Sequence, residues 1–396
     1  MTKPKVAFLD HPFHQKTGSS NFFVDFISED FDVDVFYYEP DPRAVMREIA
    51  QAGYDIVVCW QTEFCAPYFL MRGLRVVCIP MYDGVANAPD SYWLAMRQAR
   101  FINFSRVLHR RLQGLGIESY HFQYFKKPVE VDQEISFEAL HAFFWQRRPE
   151  YGLDYKFAKR LVGDCVASLH IHNAPDTLKA EDWKPGPGYT VSVFTETGES
   201  YREALAKSNV YICPRHTEGI GMAMLEALSR GMCVIAHDAP TANEYIDSGT
   251  NGILVDYDSK SHLSTNRRGP LYLDKEKAQR LGRAARENYL LGYREWLETK
   301  KMIPFLIHSA PQPDLSAGEM SMAEKYLNVA RYAPRDFGVY LRAVGRLQAR
   351  GMTGYEYSTM RLMDHLSFRL RSLPIVRPVG RQAKRLLRGV ANRLRS

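Results

Sequence analysis

The chain has 396 residues, 45% hydrophobic and 24% charged, with a formal net charge of +7. This composition excludes a largely disordered or fibrous protein and supplies apolar material for two separate cores. No run reaches the roughly 18 consecutive apolar residues of a membrane-spanning helix, and Met1-Thr2-Lys3-Pro4-Lys5 leads straight into Val6-Ala7-Phe8-Leu9 with no room for a secretory leader. A cytoplasmic location is therefore expected. Six scattered cysteines (Cys59, Cys65, Cys78, Cys165, Cys213 and Cys233) contain no Cys-x-x-Cys pair, and free thiols in a reducing compartment fit them best.

In chain order, Val6-Ala7-Phe8-Leu9, Val33 to Tyr37, Ile56 to Trp60 and Val76 to Ile79 read as strands, with helical segments such as Pro42 to Ala52 between them. Strands alternating with helices imply a parallel sheet covered on both faces, with ligands at the carboxyl ends of the strands. That makes Asp10 to Asn21, Gln61 to Pro67 and Pro80 to Ala88 the loops of interest. A polar stretch from Lys126 to Ser136 reads as a hinge. A second alternation follows: Leu140 to Trp145, Ser168 to His172, Val191 to Phe194, Val210 to Cys213 and Val234 to Ala236. Pro175 to Gly188 reads as an exposed loop, and Ala278 to Phe305 as helices closing the second unit. The expected division is 1–130, 137–310 and a helical extension over 311–396. His170-x-His172 shares one face of a strand, but with no third ligand evident no metal site is expected.

One segment carries chemistry: Pro214-Arg215-His216-Thr217-Glu218-Gly219-Ile220-Gly221-Met222-Ala223-Met224-Leu225-Glu226, running on to Gly231 and the next strand. It reads as strand, glycine turn, helix, glycine stop, strand. Glycines let the backbone approach a ligand, and a helix start presents free N–H groups that suit phosphate. Glu218 would repel phosphate and so should face neutral hydroxyls. Glu226 is a carboxylate in an otherwise apolar helix, costly unless a hydroxyl or a donor satisfies it. Together they describe a sugar-nucleotide pocket.

Glu218-x7-Glu226, with Glu244-Tyr245-Ile246 and Asn251-Gly252-Ile253-Leu254-Val255 downstream, resembles the donor-site signature of the retaining family-4 (group 1) glycosyltransferases. The resemblance covers about Tyr189 to Phe305. It implies an α/β fold of two Rossmann-like domains facing across a cleft (GT-B), a nucleotide diphosphate sugar as substrate, and no metal or other cofactor. Carried over, Glu218 acts at the donor sugar, the amides of Gly219, Ile220 and Gly221 at the sugar and phosphates, and Glu226 at the ribose, with His216 beside the donor. The family's diphosphate loop is altered. Trp145 stands at its glycine and Tyr151 at its lysine, which leaves Arg147 or Arg148 to supply the cation. Asp83, after the fourth strand, is the best match to an acceptor-side catalytic residue. His11, His14 and Glu63, at strand ends, are expected to meet the acceptor. The implied function is transfer of a sugar, with retention, to a saccharide or lipid-linked saccharide in cell-surface polysaccharide or glycolipid synthesis. The alternative is a non-catalytic nucleotide-sugar or saccharide-binding partner of another transferase.

Nine basic residues and no acid follow Asp364, which leaves the rest of the chain slightly acidic. Ala383, Leu386, Leu387, Val390 and Leu394 fall on one helical face, with arginine and lysine on the other. Such a helix suits an anionic membrane surface and a peripheral association. With no aromatic residue after Phe368 to stack on bases, nucleic acid is not an expected partner.

Overall fold

A computed structural model describes residues 2–38, 42–130, 135–176, 186, 188–195, 198–258, 271–320 and 323–324. The basic helix expected around 383–394, most of 311–361 and most of the loop from 175 to 188 lie outside the described residues.

Two six-stranded parallel sheets account for the described strands. The first comprises β1 (Lys5–Asp10), β2 (Asp32–Tyr37), β3 (Ile56–Trp60), β4 (Arg75–Ile79), β5 (Arg100–Asn103) and β6 (Ser119–His121), in the order β2-β1-β3-β4-β5-β6. The second comprises β7 (His141–Trp145), β8 (Ser168–Asn173), β9 (Tyr189–Val193), β10 (Val210–Ile212), β11 (Cys233–His237) and β12 (Ile253–Val255), in the order β12-β11-β10-β7-β8-β9. Central strands such as β3 and β4 are continuous apolar runs because helices cover both faces; Ile56 to Cys59 are fully buried. The strand order reverses between β1 and β3 in the first sheet and between β7 and β10 in the second. Those two switch points mark where ligands bind in open parallel sheets.

Aromatic packing joins the two units. Phe125 meets Tyr245 and Tyr289 edge-on at 5.3 and 5.2 Å, and Tyr124 meets Trp296 at 5.2 Å. Each such ring brings roughly 2–3 kcal/mol of burial to the junction. Polar bonds add direction. Glu244, after β11, accepts the Arg106 N–H on both carboxylate oxygens (2.7 and 2.9 Å) and pairs with His121 at 3.1 Å. It thereby caps the helix Arg106–Gly114, whose own N-cap Ser105 makes no side-chain cap bond. The helix Met302–His308 returns to the first sheet: Arg100 donates to Leu306 O at 2.6 Å and Arg75 to His308 O at 3.0 Å.

Candidate active site

Loops from three strand ends of the second sheet converge beside its switch point. β7 delivers Arg147 and Arg148, β8 delivers Asp176, and β10 delivers Arg215 and Glu218. Arg147 lies over the Trp145 ring, 4.6 Å from its centroid, and its Nε is 3.1 Å from Asp176 Oδ1. Arg148 Nε is 3.1 Å from Asp176 Oδ2. Arg215 reaches across to the first unit, where its Nη1 donates at 2.6 Å to Oδ2 of Asp83, in the short helix after β4. It also lies 3.6 Å from both Glu218 and Asp176. Burial alone would lower the Arg215 pKa, but Glu218, Asp83 and Asp176 raise it, so the cation is firmly held.

Glu218 is buried, and that burial pushes its carboxyl above the ordinary range against the downward pull of Arg215 and Arg147. Its carbonyl accepts from Thr241 Oγ1 at 2.7 Å. Thr241 holds φ 77°, a region that a β-branched residue occupies only at a cost of about 1–3 kcal/mol, and such strain concentrates at functional sites. At Gly219 a Cβ would lie 3.0 Å from both Asp83 Oδ1 and Met81 Cβ, so a bare backbone is what lets the two units close here. Gly221, at φ 81°, caps the helix Met222–Arg230 without a side-chain bond, as an anion-binding helix start requires. Glu226, on the second turn of that helix, is satisfied by Arg230 at 3.0 Å. Behind it, the buried Tyr201 hydroxyl has no partner.

The remaining sequence expectations divide. Asp83 stands at the cleft, with Oδ2 on Arg215 and Oδ1 unpartnered. His11 caps the helix Pro12–Thr17 through Nδ1, which accepts the Phe13 N–H at 3.1 Å, and it packs edge-on against Tyr38. His14 is buried: its Nδ1 contacts Asp10 Oδ1 at 2.5 Å, while Ser20 donates to the other oxygen. Glu63 is also interior, 2% exposed, with Oε1 accepting from Tyr92 and Oε2 unpartnered. The strand-end positions of His14 and Glu63 were legible, but the following helices turn both side chains inward. His216 faces Asp258 at 3.4 Å and the His237 ring rather than the arginines. His170 and His172 bond the hydroxyls of Thr190 and Ser192, and burial and His170 pull His172 down to about 4. Among the described residues His237, Asp256 and Asp258 hold ligand atoms within 4.8 Å of one another, but both aspartates are exposed.

Arg215 and Asp176 were not anticipated as site residues. Each lies three residues past a strand of the second sheet, Asp176 after β8 and Arg215 after β10, and Arg215 also falls within the segment that carries Glu218.

The family model described as "Glycosyl transferases group 1" matches residues 160–288, about a third of the chain, including Arg215, Glu218 and Glu226. That segment is similar to the group 1 glycosyl transferases. The chain is 32% identical over 91 residues to an alpha-maltose-1-phosphate synthase of Mycolicibacterium smegmatis, a stretch covering 22% of this chain and 24% of that protein. It is 33% identical over 101 residues to a sulfoquinovosyl transferase of Arabidopsis thaliana, covering 24% of this chain and 20% of that one. The chain thus spans about a quarter or less of these curated relatives. Among solved structures, a sucrose-phosphate synthase of Thermosynechococcus elongatus superposes with TM-score 0.59 at 13% identity, over 78% of this chain and all of that one. Anabaena HepE, solved with UDP and glucose, gives 0.50 at 12% identity, over 75% of this chain and 99% of that one. These likenesses, with the paired parallel sheets, establish the GT-B fold.

Proposed function

We propose that the protein is a retaining, metal-independent family-4 glycosyltransferase that moves a sugar from a nucleotide diphosphate sugar to a saccharide or lipid-linked saccharide. The observation that carries this reading is the convergence of Arg147, Arg148 and Arg215 beside Glu218 and the glycine-led helix start. Charge develops on the departing diphosphate, and fixed guanidiniums and amides in a water-poor cleft stabilise it. Glu218 accepts hydroxyls of the donor sugar and Glu226 those of the ribose. If attack and departure share one face of the sugar, the departing phosphate oxygen takes the acceptor proton, and no protein nucleophile is needed. Asp83, whose buried Oδ1 has no partner, serves the acceptor side from the opposite unit, and His11 extends that side.

No helix among the described residues is long and apolar enough to cross a membrane. The basic C-terminal segment supports a cytoplasmic enzyme that meets a lipid-linked acceptor at an anionic membrane surface, in cell-surface polysaccharide or glycolipid synthesis. Incubation with nucleotide sugars and a saccharide panel should release nucleoside diphosphate and form a glycoside whose anomeric configuration matches the donor. Tyr151, 60% exposed where the family carries a lysine, favours a second reading, a nucleotide-sugar-binding partner without turnover. Donor binding without product across the panel would select it.

A further inference from the structure

We propose that Asp176 is an internal stand-in for the diphosphate of the donor, a carboxylate that occupies the anion subsite when it is empty and yields its guanidiniums when the donor enters. The inference rests on reading the arginine cluster as a diphosphate subsite. Three guanidiniums from two loops converge on this one carboxylate: Arg147 on Oδ1 at 3.1 Å, Arg148 on Oδ2 at 3.1 Å and Arg215 near Oδ2 at 3.6 Å. The Asp176 side chain is only 11% exposed, and its backbone N–H donates to Arg147 O at 3.0 Å, so its position is built in. Carboxylate and phosphate take the same forked bonds from arginine, which makes one a competent substitute for the other. The cations carry other carboxylates as well, Arg148 with Glu150 at 3.4 Å and Arg215 with Asp83 at 2.6 Å and Glu218 at 3.6 Å, so an entering diphosphate must displace Asp176 rather than add to it.

The two anions cannot share the subsite comfortably. A diphosphate arriving beside a mostly buried carboxylate meets repulsion that solvent screens weakly. Asp176 must give up part of its pairing, and that loss weakens both donor and product. The same competition acts in the useful direction after transfer, because Asp176 re-engages the arginines and helps expel the nucleoside diphosphate. Asp176 is thus a positioning residue in the empty site and a competitor in the filled one.

The test is calorimetric titration of UDP, GDP, ADP and inorganic pyrophosphate into the full chain and into Asp176→Asn, with Asp176→Ala as a second variant. Removal of the charge should tighten the nucleoside diphosphate that binds, and pyrophosphate, by about tenfold or more, and added salt should narrow the gap. In turnover, KM and kcat should fall together as product release slows. Unchanged or weaker binding by both variants would overturn the proposal and make Asp176 only a brace for the arginines. If neither wild type nor variant bound any of these anions, the diphosphate reading of the site would fall as well.

Discussion

Gly282 lies on the long helix Lys275–Thr299, where it crosses the end of the helix that carries Glu226. A Cβ there would stand 2.2 Å from Gly231 O and 3.0 Å from the Phe137 ring. The first of these is a backbone atom in a glycine C-cap, so relief needs a helix shift of about 1 Å rather than a rotamer change. Overpacking against backbone lies at the upper end of the usual range, about 3 kcal/mol, and the better helix propensity of alanine returns about 1 kcal/mol. Gly282→Ala should therefore cost about 2 kcal/mol. Gly114 supplies the control, since it is helical and a Cβ there meets nothing within 4 Å. Gly114→Ala should be neutral or stabilising by a few tenths of a kcal/mol. Urea denaturation of both variants measures the contrast. A Gly282→Ala protein as stable as Gly114→Ala would refute the close helix crossing that seats Glu226.

Three further outcomes follow from the geometry. Burial raises the Glu63 carboxyl from its ordinary value of 4.5, so the stability it brings is complete at lower pH and is lost as pH rises through the folded value; Glu63→Gln should gain on wild type as pH climbs from about 5 to 8, and a pH-independent difference in urea midpoint would contradict this. Glu244→Ala uncaps the helix Arg106–Gly114 and cuts the bond to His121, at a cost of about 1–2 kcal/mol; Glu244→Gln, which keeps an acceptor oxygen, should lose less in the same assay. Arg147→Lys retains the charge but surrenders the stacked, forked guanidinium, so nucleotide affinity should drop about tenfold in calorimetry; undiminished affinity would remove Arg147 from the anion subsite.

The central strands were legible because β1, β3, β4, β7 and β11 are apolar runs bounded by polar turns. β5, β6 and β12 were not: they are three or four residues long, and the first two open on Arg100 and Ser119, which read as surface until the packing is known. Glu218, Gly219, Gly221 and Glu226 were legible because one local strand–turn–helix unit sets their spacing. Arg215 sits in that same segment, yet its role depends on Asp83, 132 residues away in a short helix of the first unit. Asp176 fell in a stretch rich in proline and glycine that read as exposed, and only its contacts with Arg147 and Arg148 give it meaning. His14 and Glu63 show the converse case, where strand-end position is readable but side-chain direction depends on the following helix.

The central claim is that the arginine-lined cleft holds a nucleotide diphosphate sugar. Titration of UDP-, GDP- and ADP-sugars into wild type and Glu226→Ala tests it most directly, with melting temperature as a parallel readout; a ligand at about 100 times its dissociation constant adds about 2.7 kcal/mol. The account predicts binding by one nucleotide family, lost or strongly weakened in Glu226→Ala. Absence of binding by any of them, or binding indifferent to Glu226, would contradict it.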